Sequence, residues 1–341
     1  MSLAPALRPP RSPALPRLAL GLLVAVAALA VVVLLSLAVG NKPLALTDVV
    51  GALVHPGHSY ADTVVASRVP RTELGLLVGA ALAVAGAVMQ GITRNPLADP
   101  GLFGVNIGAA AAVVTASAFL GLGLASASVL VALPGALAAV VVVYLIGSGG
   151  GRTTPVRLVL AGVVVSAVLA AYIQAITLSL PAVFDQYRFW VIGSLAGRDP
   201  ALVMDILPFI AAGLLLAFTL AAPLNALALG DDTAAALGAH VGRARLLGAV
   251  TTSLLCAAST AAVGPIAFVG LAVPHIARAY TGADHRWLLP YSLVIGPVLL
   301  IAADIVARVV ASPAEIMVGI VTAFVGAPVL VLAVRRMRTG A

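Results

Sequence analysis

The sequence predicts an all-α polytopic membrane protein with ten transmembrane helices. Of its 341 residues, 62% are hydrophobic and only 9% are charged, whereas about 25% of residues are charged in ordinary soluble domains. Apolar runs long enough to cross a hydrocarbon core, about 20 residues each, recur along the whole chain. Spans and short loops occupy nearly all of the length, so the composition excludes a soluble enzyme and leaves no room for a separate soluble domain.

The chain is expected to begin with a tail and a first span. Residues 1–17 are rich in proline and arginine, which predicts a disordered cytoplasmic tail, and residues 18–336 are expected to form one transmembrane domain. The run from Leu18 to Val39 is longer than a usual signal-peptide core and no small-residue cleavage site follows it, which favours a retained span. Nine further spans are predicted at residues 72–92, 102–122, 126–147, 156–178, 202–222, 246–264, 266–282, 287–307 and 315–334.

The distribution of basic residues predicts the orientation of these spans. The chain carries 19 basic and 12 acidic residues, and the basic ones are scattered over short loops rather than clustered as in nucleic-acid binders. With a cytoplasmic N-terminus, 13 of the 19 fall on the inner side, as the positive-inside rule expects. Both termini are therefore predicted to be cytoplasmic. Five spans in each half suggest two inverted repeats, a common plan of membrane transporters.

The sequence contains no pattern that predicts catalysis, a metal or a cofactor. The single lysine, Lys42, does not lie in a glycine-rich loop, and a P-loop requires Gly-Lys-Ser/Thr to hold nucleotide phosphates. Any ATP hydrolysis must therefore belong to another chain. The lone Cys256 cannot form an internal disulfide, and His55 and His58 lack a carboxylate or thiol to complete a metal site.

Three segments are too polar or too broken to be ordinary spans. The first, RNPLADPGLFGV (Arg94 to Val105), is either irregular backbone buried within the protein or a tight cytoplasmic turn. The second, residues 227–248, contains helix N-cap residue types at Asp231, Asp232 and Thr233 and a helix stop at Gly238. Two short helices, the second over residues 239–247, are predicted there, forming either a docking surface for a cytosolic partner or a solvated connection.

The third segment is the outer loop from Pro181 to Pro200. It groups four aromatic side chains, and aromatic residues prefer the membrane–water interface. They could also close an outer vestibule. These four are Phe184, Tyr187, Phe189 and Trp190.

Asp304 is the acid whose position within a span needs an explanation. Arg308 follows it by four residues, so the two side chains share a helical face and are predicted to pair. Intramembrane acids also mark proton or ion coupling. A proton-coupled secondary transporter that uses Asp304 is therefore the alternative from a different functional class.

Eight stretches of this sequence resemble a known family, occur in the family's order and cover most of residues 68–328. The chain resembles the permease subunits of ABC importers for iron–siderophores, haem and cobalamin. This resemblance implies a bacterial plasma (inner) membrane protein that works as a pair of permeases with two ATPase subunits and an extracytoplasmic substrate-binding protein. The stretches are RVPRTELGLLVGAALAVAGAVMQG, RNPLADPGLFGV, LVLAGVVVS, FWVIGSLAG, GDDTAAALGAHV, VGPIAFVGLAVPHIAR, ADIVAR and EIMVGIVTAFVGAP.

The resemblance also implies roles for individual residues. Arg68, Arg71 and Arg308 correspond to arginines that dock the binding protein, although Glu73 could weaken the attraction of Arg71. Thr153 and Thr154 lie where the pathway of family members narrows on the cytoplasmic side, and Phe189 and Trp190 resemble the short helix near the outer gate. Apart from the resemblance, Ser166 and Gln174 are among the few polar side chains in the spans and are candidates for the pathway wall. The ATPase-coupling segment is represented by Asp231, Asp232, Thr233, Gly238, His240 and Val241.

The function expected from the sequence is ATP-driven import of a ferric siderophore or related chelate, with hydrolysis on separate subunits. Import of cobalamin or haem is the alternative within the same family. No catalytic residue, metal site or cofactor is expected in this chain.

Overall fold

The computed structural model describes residues 15–55, 57–122, 128–148 and 155–339, and these residues form helices and connections without a β-strand. A 3₁₀ turn at Pro100–Phe103 lies between the helices that end at Thr93 and begin at Val105. The helices are α1 (Leu15–Ala38), α2 (Leu46–Val54), α3 (Tyr60–Thr93), α4 (Val105–Leu120), α5 (Ser128–Ser148), α6 (Pro155–Ser179), α7 (Pro181–Trp190), α8 (Ala201–Thr219), α9 (Ala221–Ala228), α10 (Asp231–Ala236), α11 (Val241–Val263), α12 (Val269–Thr281), α13 (His285–Val310) and α14 (Val318–Thr339).

The all-helical membrane class predicted from the sequence is confirmed. Each of the ten predicted runs coincides with a helix: α1, α3, α4, α5, α6, α8, α11, α12, α13 and α14. Among the described residues, seven helices are both long and apolar enough to cross a membrane, namely α1, α3, α5, α6, α8, α11 and α13. Since α4, α12 and the apolar part of α14 are shorter, the count of ten spans stays a prediction.

Helix α3 forms the centre of the bundle. Every residue from Val78 to Ile92 is buried, and a helix that is enclosed all round belongs to the interior of a large protein. It packs against α11, α12 and α13. Small residues allow this, because a Cβ on Gly79 would lie 2.7 Å from the backbone of Pro297 and one on Gly86 would overlap the carbonyl of Gly270.

Helix α1 is peripheral by contrast. Its buried residues lie near its two ends, at Leu18 and at Ser36–Ala38, so its middle presents an apolar surface outwards. The helix begins at Leu15, inside the predicted disordered tail, because Leu15 and Pro16 suit a helical first turn, where proline is tolerated. The rest of that tail, residues 1–14, lies outside the described residues.

The connection between α3 and α4 is irregular; residues 94–96 are exposed, and the burial lies in its second part. Arg94 ends α3 in the left-handed region at φ 50°, and Asp99 caps the 3₁₀ turn by accepting a 2.8 Å hydrogen bond from the Gly101 N–H. Ala98 and Phe103 are buried. Burial raises the pKa of Asp99. The alternative of irregular backbone buried within the protein therefore applies to the second part of the segment, whereas residues 94–96 are exposed as in a turn.

Two expectations for residues 227–248 are wrong. The predicted second short helix over residues 239–247 is the start of α11, which continues through Gly248 to Val263 because no proline interrupts the apolar pattern there. Asp231 and Asp232 do not cap α10. Gly230 precedes the helix, and the two acids occupy its first turn, where they complement the positive end of the helix dipole. Gly238 does adopt a positive φ, +83°, in the turn after α10.

Replacing Gly86 with alanine is expected to lower the melting temperature of the purified protein in detergent. The added Cβ would meet the Gly270 carbonyl, and overpacking costs about 1–3 kcal/mol. Gly242→Ala is the matched control, since Gly242 also lies in a helix but a Cβ there meets nothing within 4 Å. Equal melting temperatures for the two variants would contradict the close approach of α3 and α12.

Candidate functional site

The structure brings the three predicted docking arginines together. Arg68 and Arg71 lie one turn apart on α3, and Arg308 lies near the end of α13. All three line a cleft of about 280 Å³, which we call the arginine cleft. Its other lining residues are Gly40, Asn41, Lys42, Tyr60, Val64, Ser67 and Glu315.

Asp304 lies behind the arginine cleft and holds two of the arginines. Arg71 donates to its carboxylate through Nε at 2.9 Å and Nη2 at 2.8 Å, and Arg308 Nη2 lies 3.2 Å from the Asp304 Oδ2. The predicted Asp304–Arg308 pair is therefore confirmed, and Arg71 is a second, closer partner. The Asp304 side chain is only 3% exposed. Such an enclosed, doubly paired carboxylate lacks the access to water that a proton-coupling acid needs, which disfavours the secondary-transporter alternative.

Arg68 and Arg308 bind the end of α1. Arg68 donates to the carbonyls of Leu37 at 2.7 Å, Ala38 at 3.1 Å and Lys42 at 2.8 Å. Arg308 donates to the Ser36 carbonyl at 2.8 Å and to the Ser36 hydroxyl at 2.8 Å. The last carbonyls of a helix lack intrahelical partners, and cations stabilise this negative end of the dipole.

The three arginines consequently differ in what they offer to another molecule. Arg68 and Arg308 are buried, and either would have to leave these carbonyls to contact a second protein. Arg71 keeps one donor directed away from Asp304, because its Nη1 lies 2.8 Å from the Glu315 Oε2. The docking role of all three stays a prediction, but their positions single out Arg71 as the accessible member.

The acidic residues that contact Arg71 do not include Glu73, which the sequence suggested. Glu73 is exposed, and residues two apart on a helix do not face each other. The carboxylates that pair with Arg71 are those of Asp304 and Glu315, from distant parts of the chain. Glu315 was missed, although it lies in the EIMVG stretch that resembles the family.

The predicted coupling segment lies where the chain returns from α9 to α11. Asp231 at the start of α10 faces two arginines, since its Oδ1 lies 2.9 Å from Arg245 Nη2 and 3.7 Å from Arg94 Nη1. The buried Ala234 anchors the helix. The predicted coupling residues Asp232, Thr233, Gly238 and His240 are exposed and Val241 is half-buried.

Two large apolar side chains on either side of α10 are not covered by other described residues. Leu229 and Leu237 are both exposed. The segment thus combines the Asp231 ion pairs with apolar and polar side chains that no described residue covers.

The predicted pathway residues do not converge on one pocket. Ser166 is half-buried on α6, Gln174 and Phe189 are exposed, and Trp190 is buried at the end of α7. Thr153 and Thr154 lie outside the described residues.

A separate cleft of about 400 Å³ lies beside the end of α7. It is lined mainly by apolar side chains and by Asn106 of α4, whose side-chain oxygen accepts a 2.8 Å hydrogen bond from the Thr260 hydroxyl. Asn106 was not singled out from the sequence, because an isolated asparagine near the start of a helix carries no local signal of a cleft. Within the described ranges, no group of three or more His, Cys, Asp or Glu side chains could hold a metal ion. The remaining lining residues are Val191, Ile192, Pro265, Ala267, Gly319, Ile320, Ala323 and Phe324.

The helical bundle and its membrane-length apolar helices define a polytopic membrane protein. The chain belongs to the FecCD transport family, whose model matches residues 28–336. It is therefore a permease of the ABC importer class, a transport subunit that is not itself catalytic.

Several known proteins are similar over most of their length. The ferric enterobactin transport system permease protein FepD of Escherichia coli is 47% identical over 333 residues, which cover 97% of each chain. The hemin transport system permease protein HmuU of Yersinia pestis is 39% identical over 80% of this chain and 84% of its own length. A solved metal-chelate-type ABC transporter in an inward-facing conformation matches with a TM-score of 0.79 and 28% identity, covering 93% of this chain and 99% of that chain.

Replacing Asp304 with asparagine is expected to destabilise the protein by about 3–5 kcal/mol, because removing one partner of an enclosed ion pair leaves buried charge uncompensated. The melting temperature in detergent, or a denaturant titration, measures this. Asp205→Asn is the matched control, since Asp205 is an exposed acid on α8. An Asp304 variant as stable as the Asp205 variant would show that the pairing with Arg71 and Arg308 does not hold the helices together.

Proposed function

We propose that this permease imports a ferric siderophore. The observation that carries the proposal is the 47% identity to a ferric enterobactin permease across 97% of both chains. Relatives named for hemin and for cobalamin match at 39% identity over smaller parts of this chain, 80% and 76%. This difference favours a ferric chelate over haem or cobalamin as substrate.

The proposed membrane arrangement has ten spans in two inverted five-helix halves. The first half contains α1, α3, α4, α5 and α6, and the second contains α8, α11, α12, α13 and α14. Support comes from the coincidence of every predicted apolar run with a helix and from the excess of arginine in the loops assigned to the inner side. Both termini would then lie in the cytoplasm of a bacterium, with the chain in its plasma (inner) membrane.

The proposed assembly contains two permease copies, identical or different, two ATPase subunits and an extracytoplasmic binding protein. The exposed side chains around α10, including Leu229 and Leu237, offer a surface for an ATPase subunit. The Asp231 ion pairs would pass movement of that surface to α11 and α3. The binding protein would dock at the arginine cleft, with Arg71 in contact and with Arg68 and Arg308 supporting the end of α1.

The proposed pathway runs between the two copies. The 400 Å³ cleft with Asn106 would form part of its wall. Phe189 and Trp190 on α7 would lie near the outer gate, Ser166 and Gln174 of α6 along the wall, and Thr153 and Thr154 at the cytoplasmic narrowing. An apolar, shallow wall suits a permease that leaves substrate recognition to its binding protein.

Uptake of ferric enterobactin and haemin labelled with radioactive iron, and of cobalamin labelled with radioactive cobalt, tests the substrate and the energy source together. Cells that lack their own siderophore permease, and that express this chain with the subunits encoded beside it, are expected to take up ferric enterobactin but neither haemin nor cobalamin. Uptake should also require an intact ATPase subunit. Uptake driven by a proton gradient alone would contradict the proposal, and preferential uptake of haemin or cobalamin would reassign the substrate.

Replacing Gly238 with valine is expected to uncouple transport from ATP hydrolysis. Gly238 has a φ of +83°, where a β-branched residue introduces roughly 1–3 kcal/mol of backbone strain, so the turn after α10 would change shape. Reconstituted complexes should still hydrolyse ATP while transport falls. Gly242→Val is the control, because Gly242 is helical and a Cβ there meets nothing within 4 Å. Normal transport per ATP in the Gly238 variant would exclude a coupling role for this turn.

A further inference from the structure

The two sides of the Arg71 guanidinium have very different partners. Its inner side donates through Nε and Nη2 to Asp304, which is 3% exposed. Its outer side donates through Nη1 to Glu315, which is 32% exposed. The inner contact is bidentate and enclosed, whereas the outer contact is a single hydrogen bond at the edge of the arginine cleft.

This difference makes only the outer contact exchangeable. Exposed ion pairs contribute little to stability because water and salt compete with them, while opening an enclosed pair leaves a buried charge uncompensated. Glu315 can therefore leave Arg71 at small cost. The guanidinium would keep its position, because Asp304 still holds it from behind.

The charges of the arginine cleft define what could replace Glu315. Four basic residues line the cleft, and Glu315 is the acidic residue among its lining side chains. The exposed Lys42 extends this positive surface, with its Nζ 5.4 Å from the centre of the Tyr60 ring. Such a surface complements an acidic protein, and a guanidinium edge is a strong donor to carboxylates. The four basic residues are Lys42, Arg68, Arg71 and Arg308.

We propose that Glu315 is an internal substitute for a partner's carboxylate: it occupies the outer edge of Arg71 in the undocked protein and is displaced when an acidic surface of the binding protein docks. This inference rests on the proposed function and adds a way in which the arginine cleft discriminates between partner proteins. A partner gains the Arg71 contact only by supplying a carboxylate that replaces Glu315, so neutral or wrongly spaced surfaces are disfavoured.

The test compares two charge-neutralising variants of the full chain, in zwitterionic nanodiscs together with its co-purified subunits. The probe is labelled poly-L-glutamate at low salt. Glu315→Gln is expected to bind it roughly two- to fivefold more tightly than the unmodified protein, since a competing exposed ion pair is removed. Glu73→Gln makes the same change of charge two residues from Arg71, on an exposed side chain that does not face it, and should leave affinity unchanged.

Further measurements make the result decisive. The higher affinity of the Glu315 variant for poly-L-glutamate should decrease at high salt. The same variant should also bind the co-purified binding protein more tightly than the unmodified protein does at low salt. Equal affinities for the Glu315 and Glu73 variants would overturn the inference. The inference would also be overturned if the Glu315 variant differed from the unmodified protein only in retaining more co-purified phosphatidylglycerol. The group that replaces Glu315 would then be a lipid. Failure of the unmodified chain to recover ATPase subunits or a binding protein contradicts the proposed function instead, and the peptide comparison still decides the role of Glu315.

Discussion

The whole bundle depends on close backbone contact around α3. Lipid supplies no hydrophobic force that pushes apolar helices together, so membrane helices associate through tight packing and internal polar contacts. The buried stretch from Val78 to Ile92 achieves this with alanine and glycine, which let the backbones of α12 and α13 approach at Gly86 and Gly79. Larger side chains at these positions would separate the helices that carry Arg71 and Asp304, and the arginine cleft would lose its inner support.

The second constraint concerns polar groups in a medium without water. The carbonyls at the end of α1 need donors, and the buried guanidiniums of Arg68 and Arg308 need acceptors. The guanidiniums donate hydrogen bonds to these carbonyls, so that donors and acceptors are paired with each other. The same two arginines that resemble docking residues in the sequence therefore hold a peripheral helix to the core. Sequence similarity identifies such residues, but it does not show whether a side chain points outwards or inwards.

The parts of the structure that were predictable are local ones. The positions of the long helices followed from the apolar runs, and the Asp304–Arg308 pair followed from helical spacing. Gly238 was recognised as a turn from residue type alone, and it has the positive φ that glycine favours. These features require only neighbours in the sequence, so residue types and spacing contain the necessary information.

The parts that were missed depend on contacts between distant segments. Nothing in the local pattern shows that Glu315 reaches Arg71, which is 244 residues away, or that Arg94 and Arg245 converge on Asp231. Glu73, two residues from Arg71, was considered instead, because a sequence displays only nearness along the chain. Similarly, α11 extends through the predicted short helix because packing against α3, α5 and α8 favours one long helix over a break.

Helix α3 joins the two regions for which docking and coupling roles are proposed. Arg71 lies in its first half and Arg94 directly follows its last turn, so about 35 Å of helix separates them at 1.5 Å per residue. At one end, Arg71 is fixed by the enclosed Asp304 pair. At the other, Arg94 lies 3.7 Å from Asp231, while Arg245 of α11 lies 2.9 Å from the same oxygen. A force applied to α10 therefore acts on α11 more directly than on α3. Because the long buried faces of α11 and α3 are packed together, α3 would move with α11 as a body rather than respond independently.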